Sequence, residues 1–267
     1  MTGNADPTAG AKPVFLTFAP MVDSETSRLL LHHHGVDYEE RDRLLPWVML
    51  LALLHGGSGK VPLLYGGGIR LTGPWAIAQH FDSALPPDRR LIPPDGPLAA
   101  QVKADWDMFN GGMGADTAVF AYFHLLPERS LMSPIFAAPL PPLEARLEPA
   151  FYPLLAALIR WFLNVSPQAA AAAAGHIRAA FEATDKRVAD GRPYLCGDRL
   201  TIGDIALAAA AAPLLPPPGY GAEMPPLDKM PAPIADLIEE LRGHPTGRFV
   251  ARLYAEGFAA ARAKAAA

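Results

Sequence analysis

The stretch Arg70–Asp82, RLTGPWAIAQHFD, is the first place where residue types and spacing point to chemistry. A short apolar step and Thr72 lead into a helical spacing of Trp75, Ile77, Ala78 and Phe81. A strand running into a helix capped by the threonine is therefore expected. The free backbone N–H groups at such a helix start form a ready anion site. An acid or hydroxyl in the first turn would help to hold the ligand, and Gly73 and Pro74 supply neither. His32-His33-His34 invites a metal reading. Successive helical residues point about 100° apart, so three in a row do not converge on one ion, and a solvated or partner-facing stretch is expected. No metal site is read. The single cysteine, Cys196, stands isolated before a helix and reads as a small packed residue.

The elements that must position these residues divide the chain. Pro13–Phe18 reads as a buried strand, Asp23–His34 as a helix stopped by Gly35, and Val36–Arg43 as a charged edge strand. Pro46–His55 reads as a helix. Val61–Tyr65 and Ile69–Leu71 form a hairpin around three glycines, and Thr72–Phe81 is the helix of the opening stretch. The order β-α-β-α-β-β-α implies a mixed sheet with helices on its faces. From Pro97 onward only helical runs appear: 98–124, 143–164, 167–190, 202–212, 232–242 and 246–264. Proline-rich loops are expected at 127–142 and 213–233. In Leu200-Thr201-Ile202-Gly203-Asp204-Ile205 the threonine is an N-cap, Asp204 sits at N3, and Leu200 and Ile205 form a hydrophobic staple.

Composition narrows the function. Hydrophobic residues make up 51% of the 267, enough for a proper core. A net charge of −4 without a basic run argues against nucleic acid as the partner. The apolar run Trp47–Leu54 is too short to span a bilayer, and the polar N-terminus has no signal core, so a cytoplasmic protein with no membrane partner is expected. One cysteine permits no internal disulfide. The segment PWVMLLALL is apolar around its whole circumference, unlike an ordinary surface helix. A partner subunit or the segment 213–233 is expected to cover it.

Three stretches carry a resemblance: RLLLHHHGVDYEE, KVPLLYGGGIRLTGPWAIAQHFD and GRPYLCGDRLTIGDIALA. In order and spacing they are similar to the first helix and second strand, the third strand to third helix, and the capping-box segment of glutathione S-transferases. The resemblance implies an α/β plus all-α fold. A flexible tail (1–12) precedes a thioredoxin-like glutathione-binding domain (13–83), a linker (84–96) and an all-helical domain (97–267). It also implies a homodimer, with glutathione as co-substrate.

It implies site residues as well. The Val61–Pro62 peptide is expected to be cis, with the Val61 backbone bonding the cysteinyl part of glutathione. The family places a Ser, Cys or Tyr at the start of the first helix to stabilise the thiolate. Met21 occupies the first position of that slot and Ser24 lies one turn later, so Ser24 is either the catalytic hydroxyl or a plain N-cap. Where members carry Glu-Ser or Gln-Ser for the γ-glutamyl group, this chain has Gly73-Pro74, which weakens the site. Arg70, Lys60 and His55 are candidate replacements. Trp106, Phe109 and Met113 share a helix face and are expected to wall a hydrophobic pocket. The implied function is conjugation of glutathione thiolate to a small hydrophobic electrophile. The alternative is a non-catalytic homologue with weak or no glutathione binding, and a third possibility is an enzyme using another thiol or an acidic ligand.

Overall fold

The computed structural model describes residues 12–258. The tail expected over 1–12 lies, apart from Lys12, outside the described residues, as does the end of the last expected helix beyond 258.

A four-stranded sheet, ordered β2-β1-β3-β4, organises the N-terminal part. Strand β1 (Val14–Thr17) pairs in parallel with β2 (Glu39–Asp42) and antiparallel with β3 (Leu63–Gly66), which pairs with β4 (Ile69–Thr72). The glutamates of β2 lie on an exposed edge, where charge discourages further pairing. Helix α1 (Val22–His33) packs on α3 (Pro74–Asp82), and α2 (Trp47–Leu54) lies against β1. Phe15, Leu29, Leu30, Leu31, Leu63 and Ile77 are fully buried between them.

The helical part starts with α4 (Gly96–Trp106), which continues through a π-helical turn (Asp107–Met113) into α5 (Gly114–Leu125). Then come α6 (Arg129–Ala137), α7 (Pro142–Phe162), α8 (Pro167–Val188), α9 (Ile202–Ala211), α10 (Ala232–Gly243) and α11 (Pro245–Arg252). Every residue of α9 is buried, and it packs on α1, α4 and α5. Its run of alanines permits that close approach. The capping box forms: the Thr201 N–H and hydroxyl both donate to Asp204 Oδ2 at 2.9 Å, and the Leu195 N–H donates to Oδ1 at 2.7 Å. The sheet and helices together make a thioredoxin-like domain followed by an all-helical one.

The structure corrects several expectations. Segment 127–142 is not all loop, because α6 forms there despite the interior Pro134. Its apolar face of Met132, Ile135 and Phe136 is buried, and tertiary packing outweighs the missing hydrogen bond. Thr72 does not cap α3. It stays in β4, and Gly73 takes the N-cap position at φ +79°, ψ 160°. Val61–Pro62 is cis as expected, and Leu45–Pro46, for which no such expectation existed, is cis too. Segment 213–233 does not cover α2: Trp47, Leu50, Leu53 and Leu54 are all exposed. Helix α7 tolerates Pro149 and Pro153 in its interior. Pro153 cannot bond the Pro149 carbonyl one turn back, and the Arg129 guanidinium donates to that carbonyl instead.

Candidate functional site

The sheet brings three chain segments to one edge. Because β3 runs antiparallel to β1, its start meets the end of β1, and the end of β4 lies beside it. The Gly73 N–H donates to the Pro62 carbonyl at 2.9 Å, tying the third helix to the cis-proline loop. Among the described residues the Val61 backbone N–H and C=O have no hydrogen-bond partner, which leaves one donor and one acceptor unused beside the cis proline. The orphan N–H groups at the helix starts, Val22 and Asp23 of α1 and Trp75 and Ala76 of α3, belong to the same rim.

Met21 is the N-cap of α1, so Ser24 is not. Ser24 is fully buried; its hydroxyl donates to the Phe18 carbonyl at 2.9 Å and is shared with the Thr17 hydroxyl. Both expectations for Ser24 are thereby corrected. It does not cap the helix end, and its hydroxyl is turned into the protein, away from the rim. The polar group nearest the first turn is Asp23. It accepts from Asn110 Nδ2 at 3.1 Å, and Asn110 Oδ1 in turn accepts from Thr26 at 3.4 Å. Burial raises the Asp23 carboxyl above its usual range, against the lowering effect of the Asn110 bond. The sequence puts Asp23 at the start of the first helix, but nothing in DMFNGGM marks Asn110 as a partner for α1.

The expected pocket face dissolves. Residues 107–113 wind as a π turn, so the regular spacing that put Trp106, Phe109 and Met113 on one side does not hold. Phe109 and Met113 are core residues. Trp106 does reach the rim, packing against Trp75 of α3 with ring centroids 5.2 Å apart. That contact bridges the two domains and was not read from the sequence.

Gly73 and Pro74 open α3 with no side-chain cap. A Cβ at Gly73 would meet nothing within 4 Å, but the positive φ is costly for any other residue. Of the replacement cations, the Arg70 guanidinium lies against Gly56, and His55 stacks on Tyr65 at 4.1 Å. Arg70 pairs with Tyr65 in the hairpin, two residues back from Thr72, or about 7 Å along the strand. Lys60 is exposed and makes no bond among the described residues.

Behind α1 lies a buried charge cluster. Arg28 Nε donates to Glu40 at 2.7 Å and Nη1 to Glu25 at 3.3 Å, while Nη2 stands 3.8 Å from Asp42 Oδ1. That Asp42 oxygen is buried without a hydrogen bond, and burial together with Glu40 pushes the carboxyl up to about 7. The histidines diverge as the helical geometry requires, but they are not all solvated. His34 is packed near Asp82 at 3.6 Å, and burial pushes its imidazole down to about 4. Among the described residues no group of three or more His, Cys, Asp or Glu is placed to hold a metal, and no helix is long and apolar enough to cross a membrane.

Residues 167–241 match the family model of the glutathione S-transferase C-terminal domain. Solved structures match over about nine-tenths of the chain. A glutathione S-transferase from Sinorhizobium meliloti is 21% identical, with 90% of this chain and 92% of that one covered at a TM-score of 0.52. A glutathione transferase from Phanerochaete chrysosporium is 13% identical, over 91% and 96% of the two chains, at 0.60. One from Ceriporiopsis subvermispora, solved in complex with glutathione, is 17% identical over 91% and 96%, at 0.54. No curated protein matches the sequence. The chain has the glutathione S-transferase fold, and its segment 167–241 matches the glutathione S-transferase C-terminal domain.

Proposed function

We propose that this protein binds glutathione weakly and transfers its thiolate to a small hydrophobic electrophile. The observation that carries the reading is the unpartnered Val61 N–H and C=O beside the cis Pro62, a backbone pair suited to the cysteinyl unit of a peptide thiol. The N–H groups of Val22 and Asp23 would stabilise the thiolate without help from a hydroxyl. The raised affinity of Asp23 for its proton lessens the repulsion this carboxyl would exert on a thiolate. Trp75 and Trp106 would offer the electrophile an apolar wall.

Calorimetric titration with glutathione, and with cysteinylglycine that lacks the γ-glutamyl group, tests the proposal. Both are expected to bind weakly and within about tenfold of each other, because the γ-glutamyl site contributes little beyond one polar contact. Absence of any glutathione binding would favour the second reading, a transferase-fold binding protein without catalysis. The buried Ser24 hydroxyl and the Gly73-Pro74 pair are what recommend that reading.

A further inference from the structure

The first turn of α1 carries four side chains, Val22 to Glu25, and the structure engages three of them elsewhere. Val22 packs against Gly114, where an added Cβ would come within 3.1 Å of its Cγ1. The Ser24 hydroxyl is bound to the Phe18 carbonyl. Glu25 is fully buried and accepts from Arg28, from the Tyr254 hydroxyl and from the Gly221 N–H. Asp23 alone keeps a polar atom free. Asn110 Nδ2 donates to its Oδ1 at 3.1 Å, and no other hydrogen bond to this carboxyl occurs among the described residues. The side chain is half-buried, but Oδ2 is not one of the sealed, unpartnered oxygens of the interior and is open to solvent.

Asn110 comes from the π turn between α4 and α5, 87 positions along the chain. Such turns interrupt a regular helix and recur at functional sites. This one is tied to α1 twice, because Asn110 Oδ1 also accepts from the Thr26 hydroxyl at 3.4 Å. The clamp fixes one carboxylate oxygen and leaves the other unoccupied, an arrangement that orients a base without blocking it. Burial raises the proton affinity of Asp23, and the Asn110 bond opposes that rise. A carboxylate moved in this direction is a stronger base towards a thiol, whose ordinary pKa is about 8.5.

We propose that Asp23 is the general base that takes the thiol proton of glutathione, with Asn110 as its positioning residue. The inference rests on the function proposed above. Asp23 Oδ2 accepts the proton as the S–H bond breaks, and the sulfur keeps the electron pair beside the free N–H groups of Val22 and Asp23. That pair forms the new S–C bond at the electrophile, and the leaving group departs with the electrons of the bond it gives up. Asp23 then passes its proton to water. Its carboxyl is neutral for as long as the thiolate stands, so no like charge faces the sulfur. No hydroxyl of the first turn is free for this task.

Asp23→Asn keeps an oxygen for Asn110 but cannot take a proton, so its circular dichroism should match the wild type and glutathione should still bind. On binding at neutral pH the wild type is expected to show the ultraviolet absorbance of a thiolate, and the variant to hold glutathione as the thiol. Turnover of the variant with chlorodinitrobenzene should fall at least about a hundredfold. Its kcat/KM should lose the acid limb of the wild-type profile and rise only near about pH 8.5. Asn110→Ala removes the bond that lowers the Asp23 carboxyl, so the acid limb should move upward, which a merely structural Asn110 would not cause. Equal thiolate absorbance and turnover in Asp23→Asn overturn the assignment and leave the transferase reading standing. So does an acid limb that stays in place in Asn110→Ala, which decides the matter should Asp23→Asn not fold. A wild type that binds glutathione only as the thiol overturns the assignment alone; one that binds none in calorimetry overturns the transferase reading and the assignment with it.

Discussion

The Ser24 hydroxyl donates to the Phe18 carbonyl at 2.9 Å, and this bond ties the first helix to the loop that leads into it. A hydroxyl spent in that way is structural. Ser24→Ala would leave the Thr17 hydroxyl short of a partner in the core and take one of two donors from the Phe18 carbonyl, which keeps the Met21 N–H, costing about 1–3 kcal/mol of stability. Denaturant unfolding should show that loss. Turnover with chlorodinitrobenzene, and its pH profile, should stay as in the wild type; a tenfold fall with an upward-shifted profile would return Ser24 to the chemistry.

Gly73 and Pro74 separate two effects that a double substitution would mix. Gly73→Glu places a side chain in open space but on a backbone at φ +79°, and should destabilise the protein by about 1–3 kcal/mol. Pro74→Ser adds a hydroxyl and an N–H at the first turn without touching that φ. Glutathione affinity should rise about 2- to 12-fold, the equivalent of one hydrogen bond. Flat binding in the serine variant would mean that the γ-glutamyl group lies elsewhere.

Asp42 makes stability depend on pH near neutrality. Its folded pKa of about 7 lies above the ordinary carboxylate value, so the folded state holds the proton more tightly. Stability therefore falls as pH rises between those two values and stays reduced above the upper one. Asp42→Asn removes a charge that is buried without a hydrogen bond. Its melting temperature should exceed that of the wild type by several degrees at about pH 8, and the gap should close towards about pH 4. An equal shift at both values would contradict this account.

Cys196 should be slow towards thiol reagents. Burial and the nearby Asp105 carboxylate, 3.8 Å from the sulfur, push the thiol up to about 11. Labelling by iodoacetamide at neutral pH is expected to run well below that of free cysteine and to accelerate only on unfolding.

What the sequence made legible was whatever is encoded locally. The capping box of Thr201 and Asp204, the stop at Gly35 and the strand order around the glycine hairpin are each written in a few adjacent residues, and each has its structural counterpart. Helix α6 was hidden because a proline-rich composition masks the periodicity of Met132, Ile135 and Phe136. Site geometry was the least legible part. A helical count placed Phe109 beside Trp106, but a π turn, packed against α8 and α9, changes that count. Asn110 reaches Asp23 across 87 positions of chain, a relationship that no single segment announces.

The placement of the four tryptophans gives the molecule a built-in optical gauge. Trp75 and Trp106 touch across the two domains, whereas Trp47 and Trp161 look outward from α2 and α7. Coupling between the first two rings reports domain separation through the near-ultraviolet dichroism. The emission wavelength of the other two reports the wetness of the apolar face. One unlabelled sample thus distinguishes opening between the domains from the covering of the surface.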